Sequence, residues 1–186
     1  MNSLDLTGLL NPDLKDGFPH NMKTLMITAS AFGNTARIAY AIEESLAQHC
    51  EVKSISSNDF AIALLDDHEL IIVGSPTQKF YPLPEITALL KAIPQKSLSG
   101  KAVVAFDTRF TAEEIAKVKI LDFMVKFFGY AAPSIGKLLS KKGGKLLTPP
   151  IGFYVGGLEG PLLNGELDRA RLFGSTIYTE YDKKTH

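Results

Sequence analysis

The residues best suited to chemistry in this chain form one hexapeptide, Ser30-Ala-Phe-Gly-Asn-Thr35. It follows a short apolar run and leads into a helical period. A strand-loop-helix junction containing a glycine turns several backbone N–H groups and a helix N-terminus toward one point, and that point favours an anion. Ser30, Asn34 and Thr35 add neutral side-chain donors; Ala31 and Phe32 lie between them, Gly33 provides the turn, and the nearest cation is Arg37. The loop lacks the Gly-Lys-Ser/Thr ending of a nucleoside-triphosphate site. It also lacks the spaced glycines that let a pyrophosphate approach. A loop of neutral donors suits a compact phosphate monoester, although Gly-Asn-Thr would also serve an ordinary helix start. Other chemistries are poorly represented. Cys50 is the single cysteine, the four histidines are scattered without ligand spacing, and Ser30 lacks a Gly-x-Ser-x-Gly elbow.

The elements that must position this loop are legible in the hydrophobic pattern. Thr24–Ala29, Glu69–Val73 and Lys101–Phe106 are the near-continuous apolar runs of parallel strands covered on both faces. Cys50–Ile55 alternates and suits an edge strand. Ile38, Ile42 and Leu46 form one helical stripe, and Ile86, Leu89, Leu90 and Ile93 another. Thr111-Ala-Glu-Glu114 reads as a capping box opening a helix through about Phe128, ended by Gly129. Pro133 starts a further helix that Gly143-Gly144 would end. Lys145–Val155 reads as a last strand interrupted by Pro149-Pro150, which fits an edge or a bulge. A closing helix begins at Asn164 or Gly165 and runs to about Tyr181. The alternation predicts an α/β fold, a doubly wound five-stranded parallel sheet with strand order 2-1-3-4-5. Residues 1–22 read as an extension and 23–186 as the domain.

In that order the C-terminal ends of strands one and three flank the topological switch point, where open α/β sheets bind ligands. The hexapeptide and the loop Gly74-Ser-Pro-Thr-Gln-Lys-Phe-Tyr81 converge there, joined by Asp107-Thr-Arg-Phe110 from the neighbouring strand. With these residues in view, the first loop resembles the phosphate loop of flavodoxins, matching at Ser30, Gly33, Asn34 and Thr35, while Ala31 and Phe32 stand where flavodoxins proper commonly have threonines. Gly74-Ser-Pro-Thr77 resembles the family's second flavin loop, and Ala-Phe-Asp-Thr-Arg resembles a motif of a non-carrier branch of flavodoxin-domain proteins. The resemblance spans residues 24–181 and implies a non-covalently bound FMN. It implies contacts from Ser30, Ala31, Phe32, Gly33, Asn34 and Thr35, then Ser75, Pro76, Thr77, Gln78, Lys79 and Phe80, then Asp107, Thr108, Arg109 and Phe110. Phe80 and Tyr81 would wall the ring or merely pack their loop onto the next helix. Arg109 would reach the pyrimidine carbonyls or pair with Asp107 as a brace. The segment Glu159–Ala170 also resembles that branch and reads as structural.

Composition narrows the function further. Lys+Arg and Asp+Glu both number 20, which argues against a nucleic-acid binder. No apolar run approaches a membrane span, and the N-terminus does not read as a signal peptide, so a cytoplasmic protein is expected. The expected function is electron transfer through FMN, with a redox partner protein or a small-molecule acceptor. An FMN-dependent NAD(P)H:quinone or flavin reductase, and a binding module without tight cofactor, are the alternatives. FMN would carry the chemistry, so no catalytic side chain and no metal is expected. The stripe Ile120, Phe123, Met124, Phe127 and Phe128 reads as core, with a homodimer surface through Phe123 and Phe127 as the alternative.

Overall fold

In the computed structural model of the chain, residues 22–116 and 129–185 are described. Strand β1 is Lys23–Thr28, β2 Glu51–Ser56, β3 Leu70–Pro76 and β4 Ala102–Arg109. Two short strands follow, β5 Lys145–Leu146 and β6 Ile151–Tyr154. The helices are α1 Asn34–Leu46, α2 Pro84–Ala92, α3 Ala112–Ala116, α4 Ala131–Lys141 and α5 Glu166–Thr185, numbered over the described residues.

All ladders of the sheet are parallel and the path is β2-β1-β3-β4-β5, with β6 also on β4. The expected order therefore holds, with the fifth strand divided in two. β5 pairs with Ala102 and Val103, whereas β6 pairs with the stretch from Phe106 to Arg109. Four residues, 147–150, thus face two, Val104 and Ala105, and Pro149-Pro150 lies inside this excess. A proline pair cannot donate to a ladder, so the strand bulges and resumes in the same facing parity.

The two sheet faces read out as two cores. On one, Met26, Ile72, Val104 and Phe106 pack with Ile38, Ile42 and Leu46 of α1 and Phe173 and Ile177 of α5. On the other, Leu25, Ile27, Ile71, Val73 and Val103 pack with Ile86, Leu89 and Leu90 of α2 and Ile135 and Leu139 of α4. Neighbours in sequence go to opposite faces, as a period of two requires. Helices α1 and α5 approach closely at Gly174, where an added Cβ would lie 2.7 Å from the Ile42 carbonyl oxygen.

The expected capping box is visible in part, since the Glu114 N–H donates to Thr111 Oγ1 at 3.1 Å. The rest of that expected helix, with Phe123, Phe127 and the dimer alternative, lies outside the described residues, as does the N-terminal extension up to its last residue, Met22. α4 begins at Ala131, two residues before Pro133, because remote side chains satisfy its first N–H groups (below). α5 extends past Tyr181 to Thr185.

Gly74 pairs with Phe106 across β3 and β4, and an added Cβ there would run into the Phe106 ring. Gly74→Ala should therefore destabilise the fold by about 1–3 kcal/mol through overpacking, measured by urea denaturation.

Candidate functional site

The C-terminal ends of β1, β3, β4 and β6 lead to one cleft. It is lined by Ser30, Ala31, Phe32, Asn34 and Thr35 of the first loop, by Pro76, Thr77 and Gln78 of the second, and by Thr108, Arg109 and Phe110 of the third. Val155 and Leu158 complete the lining. Gly33, Ser75, Lys79, Phe80 and Asp107 belong to the same loops but do not line it.

Gly33 stands before α1 at φ +82°, a left-handed turn that glycine takes without strain. No side chain caps α1 at this residue and its first turn carries no acid. Ser30 Oγ accepts from the Ala36 N–H at 3.3 Å and Arg37 N–H bonds to the Gly33 carbonyl. Among the described residues, the N–H groups of residues 31–35 have no backbone or side-chain acceptor. A helix start with a cluster of unpartnered N–H groups and no acid beside it is an anion site in its chemistry. The Thr35 hydroxyl lies 2.9 Å from the Thr108 hydroxyl, and both residues are buried. One donates to the other, so one proton of the pair remains to be given. Asn34 is tied differently: its Nδ2 donates to the Glu159 carbonyl at 2.8 Å.

The second and third loops are held by one carboxylate. Asp107 is fully buried on β4. It accepts from Arg109 Nε at 2.5 Å and Nη2 at 2.7 Å, from Thr77 Oγ1 at 3.1 Å and from the Ala132 N–H at 2.7 Å. Thr77 Oγ1 in turn accepts from the Ala131 N–H at 2.9 Å. Side chains from two strand ends thereby cap α4, which explains its early start. Burial pushes the Asp107 carboxyl above the usual carboxylate range, and the Arg109 guanidinium, the Ala132 N–H and the Thr77 hydroxyl oppose that shift. Arg109 lies 3.8 Å from the Tyr130 ring centroid and crosses Gly152, where a Cβ would meet its guanidinium. Of the two readings of Arg109, the ion pair with Asp107 is present, and the residue still borders the cleft.

Ser75 is fully buried, donating to the Pro76 carbonyl and accepting from the Leu83 N–H, so it fastens the chain entering α2. Gln78 and Tyr81 exchange backbone hydrogen bonds at 2.9 Å around a two-residue turn. Its central residues, Lys79 at φ 47° and Phe80 at φ 72°, are both left-handed, the pattern of a type I′ turn usually made by Asn-Gly. The aromatic lining of the cleft comes from Phe32, 47% exposed, and Phe110.

The sequence reading missed the segment after β6. The Val155 N–H continues the ladder to the Arg109 carbonyl, and the chain then folds back in a hairpin that brings Leu158 to the cleft. Among the described residues no His, Cys, Asp or Glu group is arranged to hold a metal, and no helix is long and apolar enough to cross a membrane.

Fold and site together define an open parallel α/β protein with an anion-ready first loop at the switch point of its sheet. The flavodoxin domain family matches residues 25–155, and the chain belongs to that family. Solved structures similar to it include a flavodoxin from the domain Archaea, 22% identical with a TM-score of 0.66 over 89% of this chain and 100% of that one. Flavodoxin 1 from Bacillus cereus is 18% identical with a TM-score of 0.64, covering 84% and 97%. A flavodoxin-fold WrbA-like protein from Agrobacterium tumefaciens is 20% identical with a TM-score of 0.64, covering 87% and 99%. The fold also matches 38% of a longer chain, the rubredoxin oxygen:oxidoreductase of Desulfovibrio gigas, at 18% identity and a TM-score of 0.62. No curated protein matches by sequence. Family membership implies FMN as the cofactor and electron transfer as the general function. The unpartnered N–H groups at the first loop fit the phosphate of such a cofactor.

Two substitutions probe how the loops are held. Asp107→Asn leaves the Arg109 guanidinium without its counter-charge and should cost about 3–5 kcal/mol in denaturant unfolding. Lys79→Asn, which tolerates the left-handed turn better, should raise stability by about 1 kcal/mol in the same measurement.

Proposed function

We propose that this protein transfers electrons through one non-covalently bound FMN seated in the cleft. The observation that carries the reading is the set of unpartnered N–H groups of residues 31–35 at the start of α1. These groups, with the Ser30 and Thr35 hydroxyls, would hold the phosphate. Thr35 acts through its pairing with Thr108, which leaves one hydroxyl proton for an acceptor. Pro76, Thr77 and Gln78 would border the ring from the second loop, and Thr108, Arg109 and Phe110 from the third, with Phe32 as the exposed aromatic edge. When bound, FMN supplies reversible uptake and release of electrons, and the chain supplies orientation, hydrogen bonding and exclusion of water. Asp107 would stay out of contact and keep the two ring-bordering loops in register through Arg109 and Thr77. The partner would be a redox protein or a small electron acceptor. Residues 23–186 would form the flavin-binding unit, with residues 1–22 as an extension to it.

The test is direct. Purified protein titrated with FMN should quench flavin fluorescence and saturate at one FMN per chain; no quenching would overturn the reading. Riboflavin, which lacks the phosphate, should bind about 10–100-fold more weakly, the equivalent of one charge-assisted hydrogen bond. Asn34→Asp, which sets a carboxylate beside the anion site and removes the amide that donates to the Glu159 carbonyl, should weaken FMN binding at least about 10-fold and weaken FMN more than riboflavin. Anaerobic NADPH should bleach the bound flavin quickly only if the protein is a reductase.

A further inference from the structure

The chain beyond β6 is built as a hairpin across the cleft. At its base, Val155 and Leu162 form an antiparallel bridge and both are buried. The Gly156 N–H donates to the Pro161 carbonyl at 2.9 Å, and the Leu163 N–H to the Tyr154 carbonyl at 3.0 Å. The Gly160 N–H closes the tip on the Gly157 carbonyl at 3.1 Å. The hairpin rises from the β4 side of the sheet, yet its tip reaches the first loop on the far side of the cleft. There the Glu159 carbonyl receives the Asn34 amide.

Gly160 makes this contact specific. Its φ of +110° disfavours any side chain, and an added Cβ would lie 2.5 Å from Asn34 Nδ2 and 2.8 Å from Oδ1. Backbone and space therefore both require glycine where the tip meets Asn34. One residue before that carbonyl, Leu158 is 72% exposed and nonetheless lines the cleft. An apolar side chain held over a cleft mouth by a short, internally bonded hairpin gains no burial of its own in the described chain. It gains burial when something fills the cleft beneath it.

We propose that the hairpin Gly156–Pro161 is a fourth wall of the cofactor cleft, latched by Asn34 to the Glu159 carbonyl, that selects a ligand ending at its phosphate and slows that ligand's escape. The inference rests on the FMN reading above and adds to it the part that decides what may extend beyond the phosphate. The latch crosses beside the first loop, so a ligand continuing past its phosphate as a second phosphate and nucleoside must displace the tip. A ligand that stops at the monoester leaves the latch closed. Asn34 is in this account a positioning residue for the hairpin as well as a neighbour of the anion.

Two variants separate the latch from the fold and from the cofactor. Leu158→Ser changes an exposed side chain, and Gly160→Ala forces the tip away from Asn34. For each, FMN, FAD and riboflavin are titrated, FMN dissociation is followed by stopped-flow fluorescence, and amide hydrogen exchange of residues 156–163 is measured without ligand. In the unaltered protein FMN should bind at least about 10-fold more tightly than FAD, one displaced hydrogen bond at the tip being worth about that factor. Gly160→Ala should accelerate hairpin exchange, raise the FMN dissociation rate about 10-fold and shrink the FMN-over-FAD preference. Leu158→Ser should raise the dissociation rate by about 3–10-fold with hairpin exchange unchanged, since it removes the cover and not the latch. Unaltered protein that binds no FMN overturns the FMN reading and the latch with it. FMN binding with dissociation rate and FMN-over-FAD preference unmoved in both variants overturns the latch alone. If Gly160→Ala fails to fold, Leu158→Ser decides the cover by its dissociation rate, and Asn34→Ala, which removes the donor to the Glu159 carbonyl, decides the latch by hairpin exchange without ligand, unmoved exchange overturning it.

Discussion

A single buried carboxylate sets the positions on which the cleft depends. Asp107 sits at the end of β4, shielded from water, and a lone charge there would be untenable. It is tolerated because four donors converge on it, two from Arg109, one from Thr77 and one from the first turn of α4. Arg109 fixes the third loop, Thr77 the second, and the Ala132 N–H fixes the helix beneath both. The positive end of the α4 dipole faces the carboxylate and adds to the same balance. A buried ion pair of this kind adds little net stability over an apolar replacement. Its effect here is to make the relative placement of two loops and a helix nearly all-or-none.

The sheet creates the opportunity for this arrangement. Parallel strands of similar register bring their C-terminal ends to one edge, and the crossovers to α1 and α2 leave on opposite faces. The bulge at Pro149-Pro150 has a second consequence. By dividing the last strand, it lets β6 pair with the upper half of β4, where Arg109 and Tyr154 lie side by side. The chain therefore leaves β6 at the level of the cleft, which is why a fourth segment reaches it at all.

Much of this was legible in the sequence, and the illegible part has a common cause. Apolar runs and helical stripes act locally, so the strands, their order and the two cores could be read from spacing alone. The first loop could be read because its glycine and donors are contiguous. Asp107 could not be ranked as a hub, because its helix partner lies 25 residues away and is a backbone N–H, which every residue but proline carries. Glu159 was read as part of a structural segment for the same reason: its contribution is a carbonyl, met by Asn34 across 125 residues. The two readings of Arg109 stayed open in sequence because a guanidinium two residues from a carboxylate can turn toward it or away. Contacts made by main-chain groups at long range leave no signature in residue type.

The same distinction bears on the first loop, whose side chains depart from the usual residues while its N–H groups remain without partners. The side-chain donors around the cleft are largely engaged within the protein: Ser75 with Leu83 and Pro76, Thr77 with Asp107 and Ala131, Arg109 with Asp107, Asn34 with Glu159. Among the described residues, what is left unpartnered is the N–H groups of residues 31–35. Ala31 and Phe32 lack the hydroxyls of the threonines common at these positions, yet each keeps its N–H, and the turn at Gly33 is what aims those groups. An anion site built mainly from main-chain donors depends on loop conformation more than on side-chain identity. The residues that matter most for it are then those that hold the conformation: Gly33 at its turn, Ser30 on the Ala36 N–H, and Thr35 on Thr108. Phe32, half-exposed in the lining of the cleft, sets an aromatic surface beside those N–H groups.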